Sequence, residues 1–191
     1  NLDRIDYWVK CLKDQGVYVW LDLHTGRPFL PGDDIPAFDE LTELAKGKPG
    51  RAGKGFNFVN DRITQLMQNF AKAYLTRTNR YTNTKYTEDP AIMGVLITNE
   101  NDITNHFGNQ FLPDKKNPHH QKLYEKLRDQ VIGERKLDAN AAMQTWVAGP
   151  SKVPLNEVEY QWSKKFVDYL RGIGVKVPVA TTNTWGSNPL S

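Results

Sequence analysis

The chain has 191 residues, 39% of them hydrophobic, 25% charged and 11% aromatic, with a formal net charge of +3 at pH 7. That is enough apolar material for one sizeable core and too slight a positive balance to argue for nucleic acid. No apolar run reaches membrane-spanning length, no signal peptide is visible, and the single cysteine, Cys11, excludes an internal disulfide. The chain starts at Asn1 rather than Met, which reads as sequence removed upstream.

Residues 1–15 place Leu2, Ile5, Val9 and Leu12 at spacings of three and four, a helix stopped by Gly16, with Cys11 as buried packing. The run from Val17 to Leu23 is β-branched and aromatic, lies between Gly16 and Gly26, and is apolar on both faces, as in a parallel sheet. It ends among Asp22, His24 and Arg27. Residues 28–57 are rich in Gly and Pro and read as a long loop. Within it AKGKPGRAGKG, 45–55, has the glycines of a phosphate loop, but Gly55 stands where Ser or Thr should follow Lys54. A mobile surface loop is the expectation.

Val59, Ile63, Leu66, Phe70 and Tyr74 predict a helix over 58–78, and 79–89 is a polar turn. A second buried strand spans 91–98, a loop 101–117, and a charged, solvated helix 118–136. His119 and His120 are adjacent and so do not share a helix face; they read as solvated helix-start residues, not a metal pair. After an irregular stretch at 138–154, Asn156 with Glu159 three residues on has the capping-box pattern. Val158, Trp162, Phe166, Tyr169 or Leu170, and Ile173 make that helix's apolar stripe, and Gly174 closes it. Residues 175–180 form a third strand, with Pro178 the one local conflict.

Strands alternating with helices imply βαβ units and a parallel sheet. Each apolar strand runs into chemically capable residues: Asp22 and His24, then Asn99 and Glu100, then Thr182, Asn183 and Trp185. Carboxyl strand ends are where α/β folds build their sites. A Glu at such an end sits at the low-dielectric rim of a cleft, a setting suited to a general acid. The plainer alternative is a capping or salt-bridged loop residue.

The stretch DPAIMGVLITNEND resembles the fourth-strand motif of the large clan of retaining (β/α)8 glycoside hydrolases of the cellulase and mannanase type, in which an Asn-Glu pair ends the strand. TRTNRYTNTKYTEDPAI is similar to the turn that leads into it, VYVWLDLHTG looks like the clan's third strand, and VPVATTNTWG like its fifth. The resemblance implies a TIM barrel of which residues 1–191 supply roughly strands 3 to 5 and their helices, as one incomplete catalytic domain. It implies Glu100 as general acid/base and Asn99 as hydrogen-bond partner of the sugar 2-hydroxyl. His24, Asn183 and Trp185 would line the same subsite, with Trp185 equally readable as a rim packing residue. The substrate implied is a β-linked poly- or oligosaccharide, with no cofactor and no metal. Secreted or periplasmic work would suit it.

Retaining hydrolysis needs a second carboxylate about 5–5.5 Å from the first. The clan places that nucleophile on strand seven, and neither Asp22 nor Asp102 matches its position. The nucleophile and strands 1–2 and 6–8 are therefore expected outside this chain, in the same gene product or a companion, and these residues alone are expected to be inactive. Two other readings stand beside this one: a carbohydrate-binding barrel that lacks the nucleophile, and an unrelated barrel enzyme with a metal held by Asp22, His24 and Glu100.

Overall fold

A three-strand parallel sheet is the spine of the structure. The computed structural model describes residues 2–24, 26–41, 51–104, 107, 111, 116–138 and 152–181. In chain order these give α1 (Leu2–Asp14), β1 (Val19–His24), β2 (Pro28–Phe29), β3 (Arg51–Ala52), α2 (Asp61–Leu75), β4 (Thr78–Asn79), β5 (Thr84–Lys85), β6 (Ile92–Thr98), α3 (Pro118–Arg135), α4 (Lys152–Gly172) and β7 (Val179–Ala180). The sheet order is β1-β6-β7, parallel throughout, while β2 with β3 and β4 with β5 form two small antiparallel pairs. The path from β1 to β6 passes through α2, and that from β6 to β7 through α3 and α4, so both crossovers are helical. This is a mixed α/β fold, and no closed barrel is seen among the described residues.

Sequence explains why α2 starts where it does. Asn60 has extended backbone and its side-chain oxygen accepts from the N–H groups of Arg62 and Ile63, while Asp61 puts a carboxylate in the first turn. Ile63, Met67, Ala71 and Tyr74 recur at helical spacing and are buried. With Leu21, Leu23, Val95 and Ile97 of the sheet, and with Val158, Trp162, Phe166 and Leu170 of α4, they form one continuous core. On the other face of β1 the pattern is different: Trp20 and Asp22 are exposed. Trp20 faces Gly94 across the ladder, and a Cβ on Gly94 would collide with the indole, so only glycine leaves room for the ring.

Several expectations are corrected. The helix expected from Asn156 begins at Lys152, so Asn156 lies inside it rather than at its cap. Pro154 falls in the first turn, where its missing N–H costs no helical bond. Glu159, expected to complete that cap, is buried instead and accepts the Ile103 N–H at 3.1 Å. The helix predicted over 58–78 is shorter at both ends: residues 56–58 form a separate turn of 3-10 helix with all three side chains buried, and Thr76 caps the far end. The third strand shrinks to two residues, and Pro178 contributes only its carbonyl, which accepts from Val95.

His120 is fully buried rather than solvated, while His119 is exposed. Cys11 is only half-buried, and Leu2 and Leu12 of the expected apolar stripe are exposed, because α1 turns Val9 and Asp6 inward. Residues 42–50 of the expected surface loop lie outside the described residues.

Candidate functional site

The parallel register sets the ends of β1 and β6 side by side. Asp22 pairs with Leu96 and His24 with Thr98, and Asn99 then donates its N–H to the His24 carbonyl at 3.3 Å. The polar residues that end two separate strands are thus neighbours at one carboxyl edge, as βαβ geometry requires. Asn99 and Glu100 are both half-buried there.

Glu100 has φ +48°, in the left-handed region that a side chain with a Cβ adopts at a cost of order 1–3 kcal/mol. Asp34, Ala37, Asn83, Lys116 and Lys136 share positive φ among the described residues, but all five belong to turns or helix ends. Glu100 lies two residues past the end of a central sheet strand. The twist ends strand geometry there and re-aims the next side chains.

The residues after Glu100 are tied down in the core. Asn101 is buried; its Oδ1 accepts the Gly55 N–H at 2.7 Å and its Nδ2 donates to Asn57 Oδ1 at 3.0 Å. Asp102 is fully buried and accepts from the Thr104 hydroxyl at 3.3 Å, so it is no solvent-facing carboxylate. Asn57 continues the network: its carbonyl accepts from the Thr64 hydroxyl at 2.9 Å, and Thr64 in turn accepts from the Trp162 indole N–H at 2.8 Å. One chain of hydrogen bonds therefore runs from α4 through α2 to the residue after Glu100.

The side chain of His24 does not share the exposure of Asp22. Its ring lies 5.3 Å from that of Phe70 and 6.3 Å from that of Phe166, and Nε2 donates to the Met67 carbonyl at 3.2 Å. Burial is the main reason its pKa falls to about 4; the Met67 carbonyl opposes the fall and Arg27 adds to it. The ring is neutral at pH 7, and His24 offers the strand end its backbone carbonyl. Asn183 and Trp185 lie outside the described residues.

A second polar cluster was not visible in the sequence. His120 Nδ1 donates to Glu40 Oε2 at 2.8 Å and its Nε2 accepts from Asn60 Nδ2 at 2.9 Å. Both ring nitrogens are satisfied by a neutral tautomer, in keeping with a pKa lowered chiefly by burial. Glu40 also accepts the N–H groups of His119 and His120, and so caps α3. Burial alone would raise the pKa of Glu40, but these hydrogen bonds outweigh it and the net direction is down. The one usable signal was Asn60-Asp61 before an apolar periodic run, a helix start. Nothing local predicts that His120 would join it.

Among the described residues no group of three or more His, Cys, Asp or Glu side chains is placed to hold a metal ion, and no helix is long and apolar enough to cross a membrane. A groove of about 550 Å³ lined by α2, α3 and α4, with Gln68, Lys126, Gln161 and Lys165 at its walls, contains none of the candidate site residues. Searches against protein-family models and against curated proteins find no match for this chain.

Proposed function

We propose that this chain is the central part of a retaining (β/α)8 glycoside hydrolase that cleaves O-glycosidic bonds in a β-linked poly- or oligosaccharide. It supplies strands 3 to 5 of the barrel. Glu100 is the general acid/base, Asn99 binds the 2-hydroxyl of the sugar at the cleavage point, and the nucleophile Glu stands on a strand outside this chain. The observation that carries this reading is the conformation of Glu100. A carboxyl-bearing residue in a strained backbone state, half-buried at the carboxyl edge of a parallel sheet beside Asn99, is what a positioned acid/base needs. The resemblance of DPAIMGVLITNEND to the clan's fourth strand supports it.

In this mechanism the Glu100 carboxyl protonates the departing glycosidic oxygen while the nucleophile attacks the anomeric carbon. The resulting carboxylate then takes a proton from the water that releases the sugar. A hydrogen bond to the 2-hydroxyl strengthens as the ring gains oxocarbenium character and lowers both barriers. The partner this reading requires is the remainder of the barrel, against β1 and β7, and exposed Tyr18 and Trp20 at β1 support a covering layer there.

The test is Glu100→Gln in the complete polypeptide. Aryl glycosides with poor leaving groups, which need the proton, should lose cleavage. Activated leaving groups should still depart, and azide should accelerate turnover by attacking the glycosyl-enzyme without a base, giving a β-glycosyl azide. Unchanged cleavage of poor leaving groups by this variant rules the assignment out.

A further inference from the structure

Why does Glu100 stay in a backbone state that disfavours it? A glutamate at the end of a strand relaxes to extended backbone when nothing prevents it. The answer lies one residue on. Asn101 is 4% exposed and both ends of its carboxamide are engaged. Gly55 presents an N–H, which only the oxygen of Asn101 can accept, so the amide cannot be turned over. That orientation points Nδ2 at Asn57, whose Oδ1 must then face it.

The anchor points are themselves rigid. Gly55 has φ +82° and leads into the buried turn of Phe56, Asn57 and Phe58, which the Thr64 hydroxyl ties to α2 through the Asn57 carbonyl. On the other side β6 is fixed by hydrogen bonds to both neighbouring strands. The chain must pass from Thr98 in the ladder to Asn101 in its socket within three residues, and Glu100 takes the left-handed turn that this requires. Among the described residues no acceptor faces Asn57 Nδ2, so its Oδ1 is the atom that the socket uses.

We propose that Asn101 is the positioning residue for Glu100. Its carboxamide, pinned between the Gly55 N–H and Asn57 Oδ1, holds the backbone of Glu100 in the left-handed state and so fixes the direction in which the carboxyl leaves the sheet. The catalytic consequence rests on the acid/base reading of Glu100; the mechanical one does not.

Two measurements on the complete polypeptide separate these. The first is a stability cycle. Glu100→Gly removes the Cβ strain and should raise the folding equilibrium constant about fivefold, whereas Glu100→Ala, which keeps a Cβ, should not. In an Asn101→Ala background the same Gly substitution should gain less than about twofold, because the backbone is already free to relax. An equal gain in both backgrounds overturns the lock. Should Asn101→Ala fail to fold, Asn101→Asp, which keeps an acceptor for Gly55 and loses the donor to Asn57, takes its place in the cycle.

The second is a leaving-group series. With Asn101→Ala, kcat for poor leaving groups should fall by up to ~100-fold with KM little changed, and kcat for activated ones by less than about twofold, since these need no aligned acid. An equal loss across the series overturns the positioning role. A lock that passes the stability cycle while Glu100→Gln cleaves poor leaving groups normally sinks the acid/base reading alone.

Discussion

At the scale of single residues, burial dictates which histidines carry charge. His24 lies between Phe70 and Phe166 with its Nε2–H on the Met67 carbonyl, and folding drops its pKa from an ordinary 6.5 to about 4. The unfolded chain binds a proton below pH 6.5 that the folded chain refuses until about pH 4, so this contribution is whole above 6.5 and lost as pH falls between those values. The expected loss is about 3 kcal/mol by pH 4. His120, also lowered by burial, adds in the same direction. Urea titrations from pH 7.5 to 4 should show that slope, and a His24→Phe variant should show a shallower one; equal slopes would mean the ring is not held neutral. Protonating His120 carries a further penalty. Its Nε2 would then need an acceptor where Asn60 presents Nδ2, and turning that amide over would remove the cap of α2.

At the scale of elements, the most buried of three ion pairs helps fix how α1 meets the sheet's lower loops. Asp6 is 1% exposed, pairs with the Arg77 guanidinium, and accepts from the Tyr86 hydroxyl at 2.5 Å. Its backbone carbonyl accepts from buried Asn79, so three side chains in and beside the β4–β5 hairpin hold Asp6 of α1. Burial, then the hydrogen bond to Asp6, raise the pKa of Tyr86 and keep it a donor. Asp6→Ala leaves the partly exposed Arg77 guanidinium and the Tyr86 hydroxyl without their acceptor and should cost about 1–3 kcal/mol in denaturant unfolding. Replacing both charges, Asp6→Leu with Arg77→Met, should recover most of that, because an apolar pair avoids the desolvation penalty. A double variant as unstable as Asp6→Ala would show that the tie contributes more than charge compensation.

At the scale of the whole molecule, the described sheet is less well covered at its edge strand β1 than at its centre, where Leu96 and Thr98 of β6 are buried. α2 and α4 bury Leu21, Leu23, Val95 and Ile97. Trp20 and Asp22 remain exposed, and Tyr18, Trp8 and Met93 are 67%, 66% and 50% exposed. Among the described residues β1 and β7 are the edges of the sheet. Exposed apolar side chains such as Tyr18 and Trp20 at an edge strand invite pairing with further strands. Light scattering on the 191-residue chain should accordingly report self-association or a bound companion polypeptide, and the isolated chain should show little or no glycosidase turnover. A stable, active monomer would overturn the partial-barrel reading.

By itself the sequence determined the alternation of strand and helix, since the periodicities of α2, α4, β1 and β6 are set by residues that need no distant partner to be recognised. It also determined that Asn99 and Glu100 come directly after β6, because an apolar run must end where polar residues begin. Tertiary structure alone decided the rest. The inward turn of Glu159 toward Ile103 gives a buried backbone N–H its acceptor. The burial of His120 depends on Asn60 and Glu40, which are 60 and 80 residues away in the chain. The left-handed state of Glu100 is held by Asn101, Gly55 and Asn57, and it exists only once the loop at 53–58 has packed against the strand end. Local pattern carries no record of such contacts, because each rests on hydrogen bonds between groups that only the folded chain brings together, at 2.7–3.1 Å.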